Sequence, residues 1–234
     1  STPKPSSAAS DVYKRQQIAM SNPDSYYSRP EVSNSDLTEL KNYLYPRAQY
    51  GDKEKAFKFG TLVDALITEN ERVRYDKLMV DDYVYTKDEF ELGLEMRKAL
   101  RKEAEKDQFL AVVLAQSDTQ KFMVNKQQEF YYGNFAYHLD TRCKWDWWLS
   151  AYNFGGDLKT TFAESQAQFD EAIDFFDWDR SRAWYMDIAG SNRDFIYAIS
   201  KKNCKIFKHF ITDRKHPSYI RGKEKYEDLS LIHI

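Results

Sequence analysis

The amino-acid sequence predicts a mixed α/β fold, and three observations lead to that prediction. Segments with helical spacing of apolar residues alternate with short runs rich in aromatic and β-branched residues, in the order helix, three or four strands, helix, strands. No segment is an internal repeat of another. Hydrophobic residues make up 42% of the 234 residues and aromatic residues 16%, with only 8 Gly and 6 Pro, so the chain can bury the core of one ordinary domain or two small ones.

Helices are predicted where apolar residues recur with a period of 3.6. Ser33 and Asp36 can cap a helix in which leucines recur until Pro46. Residues 59–67 carry an apolar stripe that includes one carboxylate, Asp64, which requires an explanation. Further helical segments are predicted at 88–107, 109–115, 169–176 and 180–190.

Strands are predicted where β-forming residues cluster between turn signals. The predicted strands are 83–85, 122–124, 129–132, 135–148, 157–161, 195–199 and 204–211. Gly133 and Asn134 suit the turn of an antiparallel hairpin. The last two strands are expected to form a second hairpin.

The two ends of the chain differ from its middle. Residues 1–21 are predicted to be a disordered tail, because the first ten are almost all Ser, Pro, Ala and Thr. Within it DVYKRQ, like the closing LSLIHI, resembles translated sequencing-adapter read-through. The predicted domain is therefore 22–228, with 229–234 a non-native end; a natural tail and a final short strand are the alternatives.

Charge and cysteine content exclude several classes of protein. The formal net charge is −2, so any DNA contact must use a local basic patch. Two cysteines, Cys143 and Cys204, are too few for a disulfide framework or a four-thiolate metal site and favour the cytoplasm. The longest apolar runs are too short to cross a membrane. Neither a phosphate-binding Walker motif nor a G-x-S-x-G motif occurs.

Two acidic residues and a lysine stand on neighbouring predicted strands. Asp146 lies in the run KWDWW, and Asp157 and Lys159 are two residues apart, so they project from one strand face while Leu158 points into the core. Carboxylates and a lysine on one face can hold a divalent ion such as Mg²⁺ and direct a water molecule at a phosphate. A D-x-K triplet alone is a weak signal, and its common interpretation is a solvated strand face.

Several segments together resemble the PD-(D/E)xK nuclease superfamily. They are SNSDL at 33–37, GTLVDAL at 60–66, RCKWD at 142–146, DLKTT at 157–161 and AWYMD at 183–187. The resemblance is specifically to the RecE-type exonucleases of phages and prophages, related to phage lambda exonuclease, and it spans about residues 22–226. It implies a restriction-endonuclease-like core, a mixed β-sheet flanked by helices.

The resemblance also implies roles for individual residues. Asp146 and Asp157 would ligate Mg²⁺, or Mn²⁺ in its place, the Leu158 backbone carbonyl would add a ligand, and Lys159 would assist the attacking water. Asp64 stands where the family has a histidine. It could be a further metal ligand or a residue of the helix surface.

The sequence departs from the family at the helix motif Q-x-x-x-Y. Ser181 replaces the glutamine, and the flanking arginines could bind phosphate or lie on a solvated helix face. The predicted DNA-binding residues are Arg142, Lys144, Arg180, Arg182 and Tyr185. Strand alternation places Trp145 and Trp147 in the core and makes Trp148, on the face of Asp146, a candidate for base stacking.

The resemblance implies a metal-dependent exonuclease that digests linear duplex DNA in the 5′-to-3′ direction, in phage recombination or DNA repair. DNA is the expected partner, and a single-strand annealing protein and further copies of the chain are additional candidates. Two alternatives stay open: a catalytically weakened DNA-binding or assembly subunit, and a structure-specific endonuclease.

Overall fold

A computed structural model describes residues 26, 29–46, 52–132 and 134–233. The helices are α1 (Asn34–Leu44), α2 (Lys53–Thr68), α3 (Lys87–Ala104), α4 (Gln108–Gln116), α5 (Gln166–Phe175), α6 (Trp178–Ala189) and α7 (Pro217–His233). The strands are β1 (Val73–Arg74), β2 (Met79–Val80), β3 (Tyr83–Val84), β4 (Asp118–Tyr132), β5 (Phe135–Leu149), β6 (Phe154–Thr161), β7 (Asp194–Ser200) and β8 (Ile206–Ile211). The predicted tail, 1–21, lies outside the described residues.

The main sheet is mixed, with five strands in the order β4-β5-β6-β7-β8. Strands β6 and β7 run parallel, from Gly155 opposite Asp194 to Thr161 opposite Ser200, and the other neighbours are antiparallel. A parallel pair needs a crossover connection, and here α5 and α6 provide it. Strands β1, β2 and β3 form a separate small sheet.

Helices cover both faces of the main sheet. On one face the core contains residues from α2, α3 and α4 together with Trp147, Leu158 and Phe195. On the other face α1, α6 and α7 pack against β4 and β5 around Trp145 and Trp184. All residues of β7 are buried, as expected for a strand covered on both faces. The α/β prediction, with helices flanking a mixed sheet, is therefore confirmed.

Two elements differ from the sequence predictions. The segments 122–124 and 129–132 belong to one strand, β4, whose register with β5 shifts between Asn125 and Gln128; this polar stretch is an irregularity of the strand and not a turn. Residues 217–233 are helical, so the alternative of a short final strand is wrong. Leu229 of α7 is buried, and residue 234 lies outside the described residues.

The tryptophans of β5 also differ from simple alternation. Trp145 and Trp148 pack in the core beside α6, with ring centroids 5.0 Å apart, whereas Trp147 packs on the opposite face. Opposite this stretch Gln120 has a positive φ of 53°, which accompanies a local distortion of the β4–β5 ribbon. Trp148 is only 5% exposed, so its predicted role as a base-stacking platform is wrong.

Strands β5 and β6 pair over only three residues and then separate. The paired positions end with Trp147 opposite Gly156, so Asp146 and Asp157 stand immediately beyond the last pair. A Cβ atom on Gly156 would lie 2.1 Å from the Phe195 ring, which means that only glycine allows this strand to approach the core so closely.

Among the described helices none is long and apolar enough to span a membrane.

Replacing Gly156 by alanine should destabilise the protein strongly. The new methyl group would meet Phe195, which is fully buried and held by Phe109 and Trp147, so overpacking should lower the free energy of unfolding by about 1–3 kcal/mol. Urea unfolding would measure the change. The matched control is Gly60→Ala, where nothing lies within 4 Å of the added carbon and helix propensity favours alanine. Equal stability of the two variants would contradict this packing.

Candidate active site

Asp146 is fixed at the point where the two central strands separate. Its Oδ2 accepts a hydrogen bond from the Leu158 backbone N–H at 2.7 Å, so the side chain satisfies a donor of β6 that β5 no longer reaches. Burial, and then the negative charges of Asp64 and Asp157, raise the pKa of Asp146 well above its ordinary value. Burial and the neighbouring charges therefore disfavour the ionised form of this carboxyl group.

Asp157 is buried and lies between two cations. Its Oδ1 is 2.9 Å from Nη1 of Arg182, and its Oδ2 forms a short ion pair with the Lys159 ammonium group. Burial alone would raise the pKa of Asp157, but Lys159 and Arg182 together outweigh it and hold the pKa below its usual range. The neighbouring acids Asp146 and Asp157 thus have opposite pKa shifts, an arrangement typical of functional sites.

Asp64 reaches the same place from α2, on the other side of the strands. Its side chain accepts hydrogen bonds from Thr68, one turn later, and from the side-chain amide of Gln120, which lies 3.1–3.3 Å from both carboxylate oxygens. Burial raises the pKa of Asp64, while the charges of Lys144 and Lys159 lower it. Asp64 is therefore part of this site and not a residue of the open helix surface.

Gln120 is a site residue that the sequence analysis missed. Its Nε2 also lies 3.0 Å from Oγ1 of Thr68, so one amide group holds two side chains of α2. Gln120 makes these contacts from a backbone with a positive φ of 53°, a conformation that a glutamine rarely adopts. A lone glutamine in a polar strand carries no sequence signal for such a role.

The arrangement of the acids bears directly on metal binding. Among the residues that the structure describes, no group of three His, Cys, Asp or Glu side chains is placed to hold a metal ion. Asp157 is instead engaged by Lys159 and Arg182. By its chemistry the donor set nevertheless fits a hard divalent cation, because Asp64, Asp146 and Asp157 offer only oxygen ligands and the charges of Asp64 and Asp157 add to the burial that raises the pKa of Asp146.

Two of the predicted DNA-binding residues lie inside the protein. Arg142 is 2% exposed and donates to the backbone carbonyls of Arg29 and Glu31. Arg180 is 1% exposed and binds the side chains of Asn34 and Thr38, which ties α6 to α1. The prediction that these two arginines contact DNA is therefore corrected: the protein's own groups occupy both guanidinium groups.

The three remaining predicted DNA-binding residues differ in exposure. Arg182 is completely buried beside Asp157, which leaves no route to a phosphate on the surface and corrects its predicted role as well. Tyr185 is partly buried and packs edge-on against Trp145. Lys144 is partly exposed, and its charge acts on Asp64. Of the five, Lys144 and Tyr185 retain some exposed surface.

Comparison with known proteins supports the fold. No protein-family model matches the sequence, and no curated protein matches it either. A solved structure from Eubacterium rectale, named "Putative exonuclease", is similar with a TM-score of 0.51 and 13% identity, covering 84% of this chain and 79% of that chain. A phage-related exonuclease from Haemophilus somnus covers 91% of each chain at 10% identity, with a TM-score of 0.34.

At this level of identity, the likeness to the Eubacterium rectale protein concerns the fold alone. The fold is an α/β architecture in which a five-stranded mixed sheet is flanked by helices, consistent with a restriction-endonuclease-like core. The site defined above, with its acids at the separation of the two central strands, rests on the geometry of this chain.

Replacing Asp146 by asparagine should stabilise the protein when a chelator is present. The pKa of Asp146 is higher in the folded protein than in the unfolded chain. At pH values between the ordinary Asp pKa of ~3.9 and the folded value, the folded state therefore binds more protons than the unfolded chain, and stability falls as the pH rises. Asparagine keeps an acceptor for the Leu158 N–H without the charge. A gain of about 1 kcal/mol would raise the melting temperature by roughly 2–4 °C at mildly alkaline pH.

The gain should disappear below the ordinary Asp pKa of ~3.9, where the carboxyl group is protonated in both the folded and the unfolded state. Thermal unfolding followed by circular dichroism at the two pH values would measure it. The control is Asp82→Asn, in which the replaced carboxylate is exposed. A destabilised Asp146→Asn protein at alkaline pH would contradict the charge conflict described here.

Proposed function

We propose that this protein is a metal-dependent DNA exonuclease that hydrolyses phosphodiester bonds of linear duplex DNA. The observation that carries the proposal is the meeting of Asp64, Asp146, Asp157 and Lys159 where β5 and β6 separate. Three acids and a lysine beside an opening in a sheet suit phosphodiester hydrolysis assisted by a divalent cation. The similarity of the fold to that of a protein named "Putative exonuclease" points to the same reaction class by analogy.

The proposed metal is Mg²⁺, with Mn²⁺ as a substitute. Asp146, Asp157 and the Leu158 carbonyl would hold it, and Asp64 would add a further oxygen ligand. When bound, such an ion supplies charge stabilisation at the phosphate and lowers the pKa of a coordinated water. A bound cation would also offset the burial and the negative charges that raise the pKa of Asp146, and so would favour its ionised form.

Lys159 has the second part in the proposed reaction. It is partly exposed and forms an ion pair with Asp157, so its ammonium group lies at the border between the buried acids and the solvent. From there it would orient the attacking water and balance the charge that builds up on the phosphate. Lys144, the other partly exposed cation whose charge acts on Asp64, would bind the DNA backbone, and Tyr185 would line the path of the strand.

The finer parts of the proposal concern direction and context. We propose 5′-to-3′ digestion that leaves a 3′ single strand for an annealing protein, in phage recombination or DNA repair in the bacterial cytoplasm. Assembly of several copies of the chain around DNA belongs to the same proposal. A structure-specific endonuclease and a catalytically weakened binding subunit are outcomes of the test below.

The decisive experiment measures release of nucleotides from end-labelled linear duplex DNA in the presence of Mg²⁺. The protein should digest the linear duplex, spare a covalently closed circle and stop when a chelator is added. Lys159→Ala should reduce the rate by ~10²–10⁴-fold, the usual contribution of a positioned proton-transfer group. Labels at the 5′ or the 3′ end report the direction of digestion.

The control is Lys98→Ala, which removes an exposed lysine on α3 and should leave the rate unchanged. Cleavage of the closed circle would identify an endonuclease. DNA binding without any digestion would identify a binding subunit. Full activity of Lys159→Ala would refute the assignment of the site.

A further inference from the structure

Arg182 occupies an unusual position behind the acidic site. It enters from α6, and its side chain is fully buried. Nη1 lies 2.9 Å from Oδ1 of Asp157, and Nε lies 3.5 Å from Oδ2 of Asp194, at the start of β7. The guanidinium carbon is 4.1 Å from the ring centre of Tyr185 and 5.1 Å from that of Trp145. One cation is thus enclosed by two carboxylates and two aromatic rings.

Stability alone does not explain this cluster. Within the part of the chain that the structure describes, no side-chain nitrogen of Arg182 and no carboxylate oxygen of Asp194 forms a well-aligned side-chain hydrogen bond. Removing charges from water is costly, and well-packed apolar side chains usually stabilise a protein as much as a buried ion pair does, or more. Burial raises the pKa of Asp194 even though Arg182 lies beside it, so three ionisable groups are kept in the core at a cost that packing would not require.

The two cations beside Asp157 differ in their freedom to move. Lys159 is 27% exposed, has a flexible chain and faces the opening between β5 and β6. Arg182 is fully buried between two aromatic rings and Asp194. The contact of Asp157 Oδ1 is therefore with a buried, closely packed cation, whereas the contact of Oδ2 is with a partly exposed one.

We propose that Arg182 is a positioning residue, which fixes one carboxylate oxygen of Asp157 so that the other oxygen is presented to a divalent cation. Asp194 in turn fixes Arg182. This inference rests on the proposed function, and it adds a role for Arg182 and Asp194 in binding the ion. The guanidinium group lies within ion-pair distance of both carboxylates through two different nitrogens, Nη1 and Nε, which the single nitrogen of a lysine ammonium group cannot do.

A double variant that keeps the charges balanced can show whether Arg182 positions Asp157 or only neutralises its charge. Arg182→Met leaves Asp157 and Asp194 buried without their shared cation and should lower the melting temperature. Adding Asp194→Asn removes the surplus negative charge, and methionine fills the space between the rings. The double variant should therefore recover most of the melting temperature but still lack the group that orients Asp157.

The experiment uses the full chain and measures Mn²⁺ binding by calorimetry in the absence of DNA, together with thermal unfolding. The double variant should bind Mn²⁺ at least tenfold more weakly than the wild-type protein. In the nuclease assay its kcat should fall while its KM for DNA stays the same. Recovery of wild-type Mn²⁺ affinity along with stability would overturn the inference, because charge balance would then suffice.

Arg180→Met is the matched control. Arg180 is also a buried arginine of α6, but it binds Asn34 and Thr38 of α1 and does not contact Asp157. It should lower the melting temperature without changing Mn²⁺ affinity, measured below its unfolding transition. An equal loss of affinity in Arg180→Met would assign the effect to a general loosening of α6 and overturn the inference.

Arg182→Lys decides the question if the double variant does not fold. It keeps the charge without the second nitrogen, so a near-normal melting temperature with Mn²⁺ affinity reduced at least threefold supports positioning, and unchanged affinity overturns it. Wild-type protein that binds Mn²⁺ but digests no DNA refutes the nuclease proposal, and the Mn²⁺ titrations then decide the role of Arg182 alone. Wild-type protein that binds no Mn²⁺ overturns both.

Discussion

The separation of β5 and β6 is the constraint on which the candidate site depends. Each strand beyond its last pair has backbone groups without a partner in the sheet, and such groups must find other partners. The Asp146 carboxylate accepts a hydrogen bond from the Leu158 N–H. The side chain that satisfies this backbone donor is thereby held where the two strands separate. The position of Asp146 and Asp157 therefore follows from the point at which the pairing of β5 and β6 ends.

The opening also collects groups from both faces of the sheet. Asp64 extends from α2, which packs on one face of the sheet, and Arg182 extends from α6, which packs on the other face. Both side chains lie next to the acidic site although the sheet separates the two helices. Burial and nearby negative charges raise the pKa of Asp146, whereas the cations beside Asp157 lower its pKa, although both acids stand just beyond the last paired residues of β5 and β6. A concentration of buried charge of this kind is typical of a functional site.

Sequence patterns predicted the local elements well, because capping groups and apolar periodicity act over a few residues. The α1 capping box of Ser33 and Asp36 and the apolar stripe around Asp64 are examples. The same reasoning brought Asp146, Asp157 and Lys159 together on neighbouring strands. It failed for Arg142, Arg180 and Arg182, since the burial of a basic side chain depends on distant carboxylates and carbonyls. Gln120 required a backbone conformation that residue type does not encode.

The crossover between β6 and β7 has a consequence for the order of folding. Strands β4 and β5 form a hairpin of neighbouring segments, whose contacts need only a short loop, whereas β6 meets β7 only after the segment 162–193 has closed. Asp157 stands before that segment, Arg182 within it and Asp194 at its end. The ion cluster can therefore form only when the crossover is complete, and we expect partly folded chains to carry the hairpin without an assembled acidic centre.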